Sequence, residues 1–305
     1  MKHKLLYIFL FISSIIFGQN IISEEIMIKN DSIKLPGTLS YANENSPLII
    51  WIHGSGNVDR NGNQGSIVKA NYIQKFREAV NTNNIAFFSY DKRTANPKNF
   101  KFLKGILYED LVNDAKKVVS HFKNDERFSE IILIGHSQGS LTAMLASEGI
   151  DKYISIAGPS TSIDKTIVAQ ISKQSKPLGE SAKAHFKELL ETGDIKQVNP
   201  FLVSVFAKQN LKFIASWARY NPSMEIQKIK TPILILNGDK DLQVNADDAN
   251  ALHRANNNST ISIISNMNHV LVDIQKDSDN MSSYYSADFE QSKKLIATIV
   301  NFIKE

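Results

Sequence analysis

Hydrophobic positions along the chain follow two rhythms. From Ile21 to Tyr41 apolar and polar residues alternate, and Asn30-Asp31 and Pro36-Gly37 interrupt them, which predicts antiparallel strands joined by turns. Further on the runs are short and continuously apolar: Pro47 to Ile52, Ile85 to Tyr90, Ile131 to Ile134, Tyr153 to Ala157, Ile233 to Leu236 and Ile261 to Ile264. A strand that does not alternate is one covered on both faces. Helical spacing fills the stretches between. Asn71 to Thr82, Gln138 to Ser147, Ala246 to Ala255 and Phe289 to Ile303 read as helices. In Tyr108 to Phe122 the residues Leu111, Ala115, Val118, Val119 and Phe122 share one face. Doubly covered strands alternating with helices predict a mostly parallel, doubly wound α/β sheet with right-handed crossovers.

The alternation fails once. Pro159 to Met224 carries helical patterns and no strand, with Ser162 to Lys173, Ser181 to Glu191 and Gln197 to Tyr220 each fitting helices. That is too long for a simple connection. It reads as a helical cap inserted over the carboxyl ends of the strands, where ligands bind in such sheets. The expected organisation is a core of residues 20–158 and 225–305 with a cap at 159–224. Residues 1–19 stand apart. Lys2 and Lys4 precede an apolar run from Leu5 to Phe17, and Gly18-Gln19-Asn20 follow, which is the layout of a secretory signal peptide. The run is shorter than the roughly 20 residues that span a bilayer. The mature protein is therefore expected to be secreted or periplasmic, without stable membrane insertion.

Composition changes this picture little, and charge narrows it. The chain has 305 residues, 42% hydrophobic, enough for one large core. It has no cysteine, which excludes disulfides, thiolate metal sites and a lipoprotein export signal. The net charge of +4 is small, and Lys and Arg are scattered among Asp and Glu. Nucleic-acid binding needs a clustered basic face, so this surface reads as mixed and solvated.

Candidate chemistry begins at Gly135-His136-Ser137-Gln138-Gly139, which joins the strand at Ile131 to the helix at Gln138. Gly-x-Ser-x-Gly in a strand–turn–helix context lifts a serine out of the sheet, and side chains at the glycines would clash with neighbouring backbone. A serine hydroxyl needs a base. Of seven histidines, His3 lies in the leader, His121, His185 and His253 fall in helical segments, and His53 and His136 sit inside loop motifs. His269 alone occupies the late loop that the chain order Ser…Asp…His requires. The acid that orients it is expected after the strand at Ile233, where Asp239 and Asp241 both qualify, a turn or helix cap being the alternative role. His53-Gly54-Ser55-Gly56 follows an earlier strand and can offer a backbone N–H to an oxyanion beside that of Gln138; Ser55 is the expected donor and Gly54 the alternative.

These stretches together resemble the bacterial carboxylesterases of the α/β-hydrolase superfamily, in the serine-aminopeptidase-like branch. Leu35-Pro36-Gly37-Thr38-Leu39 resembles the opening strand, His53 to Gly56 with Asp59-Arg60 the oxyanion loop, and Tyr90-Asp91-Lys92-Arg93 the next strand end. Gly135 to Gly139 resembles the nucleophile elbow, Gly238-x-x-Asp241 with Gln243-Val244 the acid loop, and Met267-Asn268-His269 the histidine loop. In that family the acid stands third after the glycine, which selects Asp241. One departure is Thr94-Ala95-Asn96-Pro97, where the family continues with a glycine-rich turn and a serine. The resemblance implies an esterase that cleaves short-to-medium acyl esters of small molecules through Ser137, His269 and Asp241, with no metal or organic cofactor. Ion pairs among Asp59, Arg60, Asp91 and Arg93 are expected to brace the site mouth. Phe201, Phe206, Phe213 and Trp217 of the cap are candidates for the acyl pocket, the cap's own core being the alternative. The same machinery suits a thioesterase, an acyltransferase or a peptidase, for which Glu180, Glu188 and Glu191 would recognise a free amine. A non-catalytic binding module on this fold is the rival of a different class.

Overall fold

The computed structural model describes residues 20–66 and 68–305; the leader expected at 1–19 lies outside the described residues. The strands are β1 (Ile22–Asn30), β2 (Ile33–Tyr41), β3 (Ser46–Ile52), β4 (Ala86–Tyr90), β5 (Phe128–His136), β6 (Lys152–Ile156), β7 (Ile233–Gly238) and β8 (Thr260–Ile264). They form one sheet in the order β1-β2-β4-β3-β5-β6-β7-β8. The hairpin β1–β2 and the pair β2–β4 are antiparallel, and every later pair is parallel.

Alternate residues of the central strands feed two separate cores. Leu48, Ile50 and Ile52 of β3 and Ile131 and Leu133 of β5 face one side, with Leu111, Ala115, Val118 and Phe122 of α2 (Tyr108–Phe122). Ile49 and Trp51, with Ile132 and Ile134, face the other, against Ile73, Phe76 and Val80 of α1 (Tyr72–Asn81). Burial on both faces is what the unbroken apolar runs foretold. Helices α3 (Gln138–Leu145) and α9 (Ala246–Ala255) cover the first side and α11 (Lys293–Lys304) the second. The last helix begins four residues later than Phe289, because Ser292 caps it by accepting from Leu295 N–H.

Between β6 and β7 run α4 (Ile163–Gln174), α5 (Lys176–Thr192), α6 (Val203–Phe206), α7 (Leu211–Trp217) and α8 (Pro222–Glu225). The stretch from Gln197 to Tyr220, expected to be helical, folds as several short pieces. Pro200 and Pro222 each start a new turn that an asparagine, Asn199 or Asn221, caps. Four residues, Ala182, Phe186, Leu189 and Phe206, anchor a third core within this segment, where the Phe186 and Phe206 rings meet edge-on at 4.9 Å. The segment is tied to the sheet domain by Tyr108. Its ring stacks on Trp217 at 5.2 Å, and its N–H donates to Ser216 Oγ at 2.8 Å. A short α10 (Asp279–Ser282) lies between β8 and α11. Among the described residues no helix is long and apolar enough to cross a membrane.

The charged residues of the loops after β3 and β4 pair only in part as expected. Arg60 does bind Asp91, at 2.9 Å, and also Glu25. Arg93 turns inward instead, to Asp114 of α2 at 2.6 Å, while Asp59 closes a turn by accepting from Asn61 and Asn63 N–H. Arg93 and Asp114 are both buried. Removing one member of a buried pair strands the other charge. Asp114→Ala is therefore expected to lower unfolding free energy by about 3–5 kcal/mol in urea denaturation, and Arg93→Met in the same chain to recover much of that loss.

Candidate active site

Strand β5 ends in Gly135-His136, and the chain turns at Ser137 into α3. Ser137 sits at φ 55°, ψ −122°, a conformation that costs a side-chain-bearing residue energy. The turn is enforced by packing. A Cβ on Gly139 would lie 2.2 Å from the Ile52 carbonyl oxygen, and one on Gly135 would lie 2.4 Å from the Gly139 carbonyl oxygen. Ser137 N–H donates to the Ile156 carbonyl at 2.9 Å, so the side chain projects beyond the carboxyl ends of β5 and β6.

His269 and Asp241 arrive from loops after β8 and β7. His269 Nδ1 bonds Asp241 Oδ2 at 2.7 Å, and the Asp241 side chain is fully buried. Its other oxygen accepts from Gln243 N–H at 2.7 Å and Val244 N–H at 2.9 Å. Burial pushes the Asp241 carboxyl upward. The opposing pull of His269 and the two backbone donors is larger and holds it below the ordinary carboxylate value. The other aspartate of the loop, Asp239, is exposed and braces a turn by accepting from Asn266 N–H at 2.6 Å. Asn268 shapes the histidine loop. Buried, it donates to Ser283 Oγ at 2.7 Å and accepts from Val270 and Val272 N–H. His136 ties this loop to the elbow through Nε2, which donates to the His269 carbonyl oxygen at 2.9 Å. A carbonyl only accepts, so Nε2 carries the proton.

Ser137, His269, Gly54 and Ser55 line one cleft of about 240 Å³, with Tyr72, Tyr284, Tyr285, Gln64 and Gln243 among its walls. On the other side of Ser137 a recess of only about 10 Å³ is lined by Gln138, Leu141, Pro159, Ile163, Trp217 and Pro222. Of the four aromatic residues expected around an acyl pocket, Trp217 alone borders either space. Phe206 belongs to the core of the helical segment, Phe213 is half-buried against it, and Phe201 is 81% exposed. Glu180 and Glu191 are exposed, and Glu188 accepts from Lys196 N–H at 3.1 Å; none borders the cleft. Among the described residues no group of three His, Cys, Asp or Glu side chains is placed to hold a metal ion.

Two features escaped sequence reasoning. Lys92 is buried, and its Nζ donates to the Gly54 carbonyl and to Gln138 Oε1, each at 2.7 Å. Asn268 makes the bonds described above. The signal for Lys92 was its place two residues beyond a strand buried throughout, Ala86–Tyr90. Asn268 carried no such signal. The histidines behind the elbow are also unusual. Burial, followed by Lys92 and His136, pushes His53 down to about 3, and burial, followed by His269, pushes His136 down to about 3. An unfolded histidine titrates near 6.5, so between those values the unfolded chain holds more protons than the folded one. The contribution of these two histidines to stability is thus complete above pH 6.5 and is lost as the pH falls towards 3. Urea midpoints should fall steadily from pH 7 to pH 4.5, with a shallower slope in His53→Gln.

No curated protein sequence matches the chain. Est1E from Butyrivibrio proteoclasticus superposes with a TM-score of 0.58 at 17% identity, covering 92% of this chain and 99% of that one. The Pyrococcus furiosus esterase Pf2001 gives 0.60 at 16% identity, covering 93% and 91%, and a bromoperoxidase from Bacillus anthracis gives 0.55 at 14%, covering 92% and 100%. At these identities the likeness is one of fold, the α/β-hydrolase fold. A family model for BD-FAE matches residues 37–255, which span His53 to Gly56, Gly135 to Gly139 and Asp241. With most of its length matched, the chain belongs to the BD-FAE family of α/β-hydrolases.

Proposed function

We propose that the protein is a serine carboxylesterase working through an acyl-enzyme. The observation that carries this reading is the buried Asp241 carboxylate held 2.7 Å from His269 Nδ1, beside the cleft that Ser137 also lines. Such a carboxylate fixes the imidazole with its proton on Nδ1, leaving Nε2 free to accept. Ser137 Oγ then attacks the ester carbonyl while His269 Nε2 takes its proton. The carbonyl π electrons move onto oxygen, where the N–H groups of Gln138 and Ser55 receive the charge. Collapse breaks the C–O bond to the alcohol, which leaves with the proton from His269. Water, deprotonated by the same nitrogen, repeats the sequence on the acyl-enzyme, releasing the acid and restoring Ser137. Thioesters and activated amides are within reach of the same steps.

The two spaces beside Ser137 set the substrate's shape. The recess of about 10 Å³ has room for little more than a methyl group, so the group placed there is small, as in an acetyl ester. The cleft of about 240 Å³, walled by Tyr72, Tyr284 and Tyr285, takes the bulky part. A second reading puts an aromatic acyl group between those tyrosines. It is favoured by their number, and Est1E, of the same fold, has been seen with ferulic acid bound.

Hydrolysis of a p-nitrophenyl ester ladder, from acetate to laurate, and of methyl ferulate tests these readings. Acetate is expected to be turned over fastest among the straight chains, with laurate at least tenfold slower, and methyl ferulate decides the place of the aromatic group. Ser137→Ala should abolish turnover, and Asp241→Asn should lower kcat by about 10⁴-fold through the wrong imidazole tautomer. No turnover by the wild type, together with no fluorophosphonate adduct on Ser137, refutes the esterase.

A further inference from the structure

Lys92 has no assigned task, yet its surroundings are specific. It leaves β4 and enters the space under the oxyanion loop, where it is 7% exposed. Its two hydrogen bonds go to Gly54 O and Gln138 Oε1, one on each strand–loop junction that flanks the nucleophile. The other residues around it are Ile52, His53 and Tyr90, Leu111 and Asp114 of α2, and Thr142 of α3. Asp114 is already engaged by Arg93, and His53 is neutral at working pH. The ammonium therefore has no carboxylate of its own.

The geometry of one peptide group gives the ammonium a function. In a trans peptide the carbonyl and the following N–H point in opposite directions, and the described residues contain no cis bond. Lys92 holds the Gly54 carbonyl inward. The Ser55 N–H must then point outward, to the side on which Gly54, Ser55 and Ser137 border the cleft. That N–H has no hydrogen-bond partner among the described residues. The second bond draws the Gln138 side chain inward too, clearing the space in front of the Gln138 N–H at the head of α3. We infer that Lys92 is a positioning residue of the oxyanion hole, a buried cross-link that aims the Ser55 and Gln138 N–H groups at one point and sets its positive charge behind them.

Stability alone does not account for this lysine. Burial pushes it down to about 7, so the unfolded chain holds the proton more firmly between that value and 10.5, and the folded state is penalised for the charge below it. A methionine of similar length would carry no such penalty. A buried amine kept at such a cost and bonded to both loops that flank Ser137 is the signature of a group kept for its effect on the transition state.

The inference rests on the esterase reading, and the test separates the two. Wild type, K92M and K92C are compared on p-nitrophenyl acetate and on inhibition by a trifluoromethyl ketone, whose adduct with Ser137 carries an oxyanion. Loss of one oxyanion donor costs about 10²–10³ in kcat, and a misaimed donor somewhat less. K92M is expected to lose about 30–300-fold in kcat with KM within threefold, and ketone affinity should fall in parallel with kcat/KM. The chain has no native cysteine, so unfolded K92C can be alkylated at that residue alone with 2-bromoethylamine and then refolded. The product has a side chain of lysine's length ending in an amine, and it is expected to regain at least a third of wild-type kcat. This rescue decides the matter even if K92M folds poorly. Wild-type turnover with K92M within threefold of it in kcat, or refolded aminoethylated protein that stays as slow as K92C, overturns the role of Lys92 and leaves the esterase standing. A wild type without turnover removes both.

Discussion

The close approach of α3 to the end of β3 is the constraint on which the rest depends. With no side chain at Gly139, the helix lies directly on the Ile52 carbonyl, and the chain has one way to enter it, through a left-handed Ser137. Backbone strain of this kind costs on the order of 1–3 kcal/mol and persists only where surroundings over-determine it. Here they are a sheet with apolar cores on both faces, the Ile156 carbonyl that receives Ser137 N–H, and His136, which is stacked on Trp51 and bonded to the His269 loop. The energy stored at one residue is thus drawn from the burial of dozens.

From that point the site assembles by convergence. Loops after β3, β5, β7 and β8 meet because parallel strands bring all their carboxyl ends to one edge. Each loop is fixed by buried polar bonds: Lys92 under the first, His136 in the second, two backbone N–H groups on Asp241 in the third, and Asn268 in the fourth. Hydrophobic burial makes the sheet, and directional hydrogen bonds in a dry environment give the loops a single geometry.

What the sequence revealed and what it hid divide along physical lines. Strands buried on both faces advertise themselves as apolar runs, and the elbow does so because its glycines answer a local clash. The acid was harder. Asp239 and Asp241 sit two residues apart on one loop; residue type and position left both open, the family spacing pointed to Asp241, and the fold turns Asp239 to solvent and sets Asp241 beneath His269. Helical periodicity located the apolar faces of residues 159–224 but not the breaks, which proline and a capping residue decide: Ser175 ends α4 and also caps α5. The aromatic residues of that segment showed their hydrophobicity and not its use, which is solvent for Phe201, core for Phe206 and a wall beside Ser137 for Trp217. Lys92 was hidden by its chemistry, since a lysine read alone belongs at the surface.

The stacking of Trp217 on Tyr108 carries a consequence for how this protein can change. The wall of the narrow recess is not a free loop. It rests on a ring rooted in α2, whose hydroxyl in turn reaches Thr142 of α3, the helix that Ser137 leads into, at 2.9 Å. Loops drift through small insertions, whereas a stacked indole is either present or replaced. A wider recess would therefore be reached by a discrete jump at this one ring pair, which makes its width an inherited property of the sheet domain and a natural lever for directed evolution.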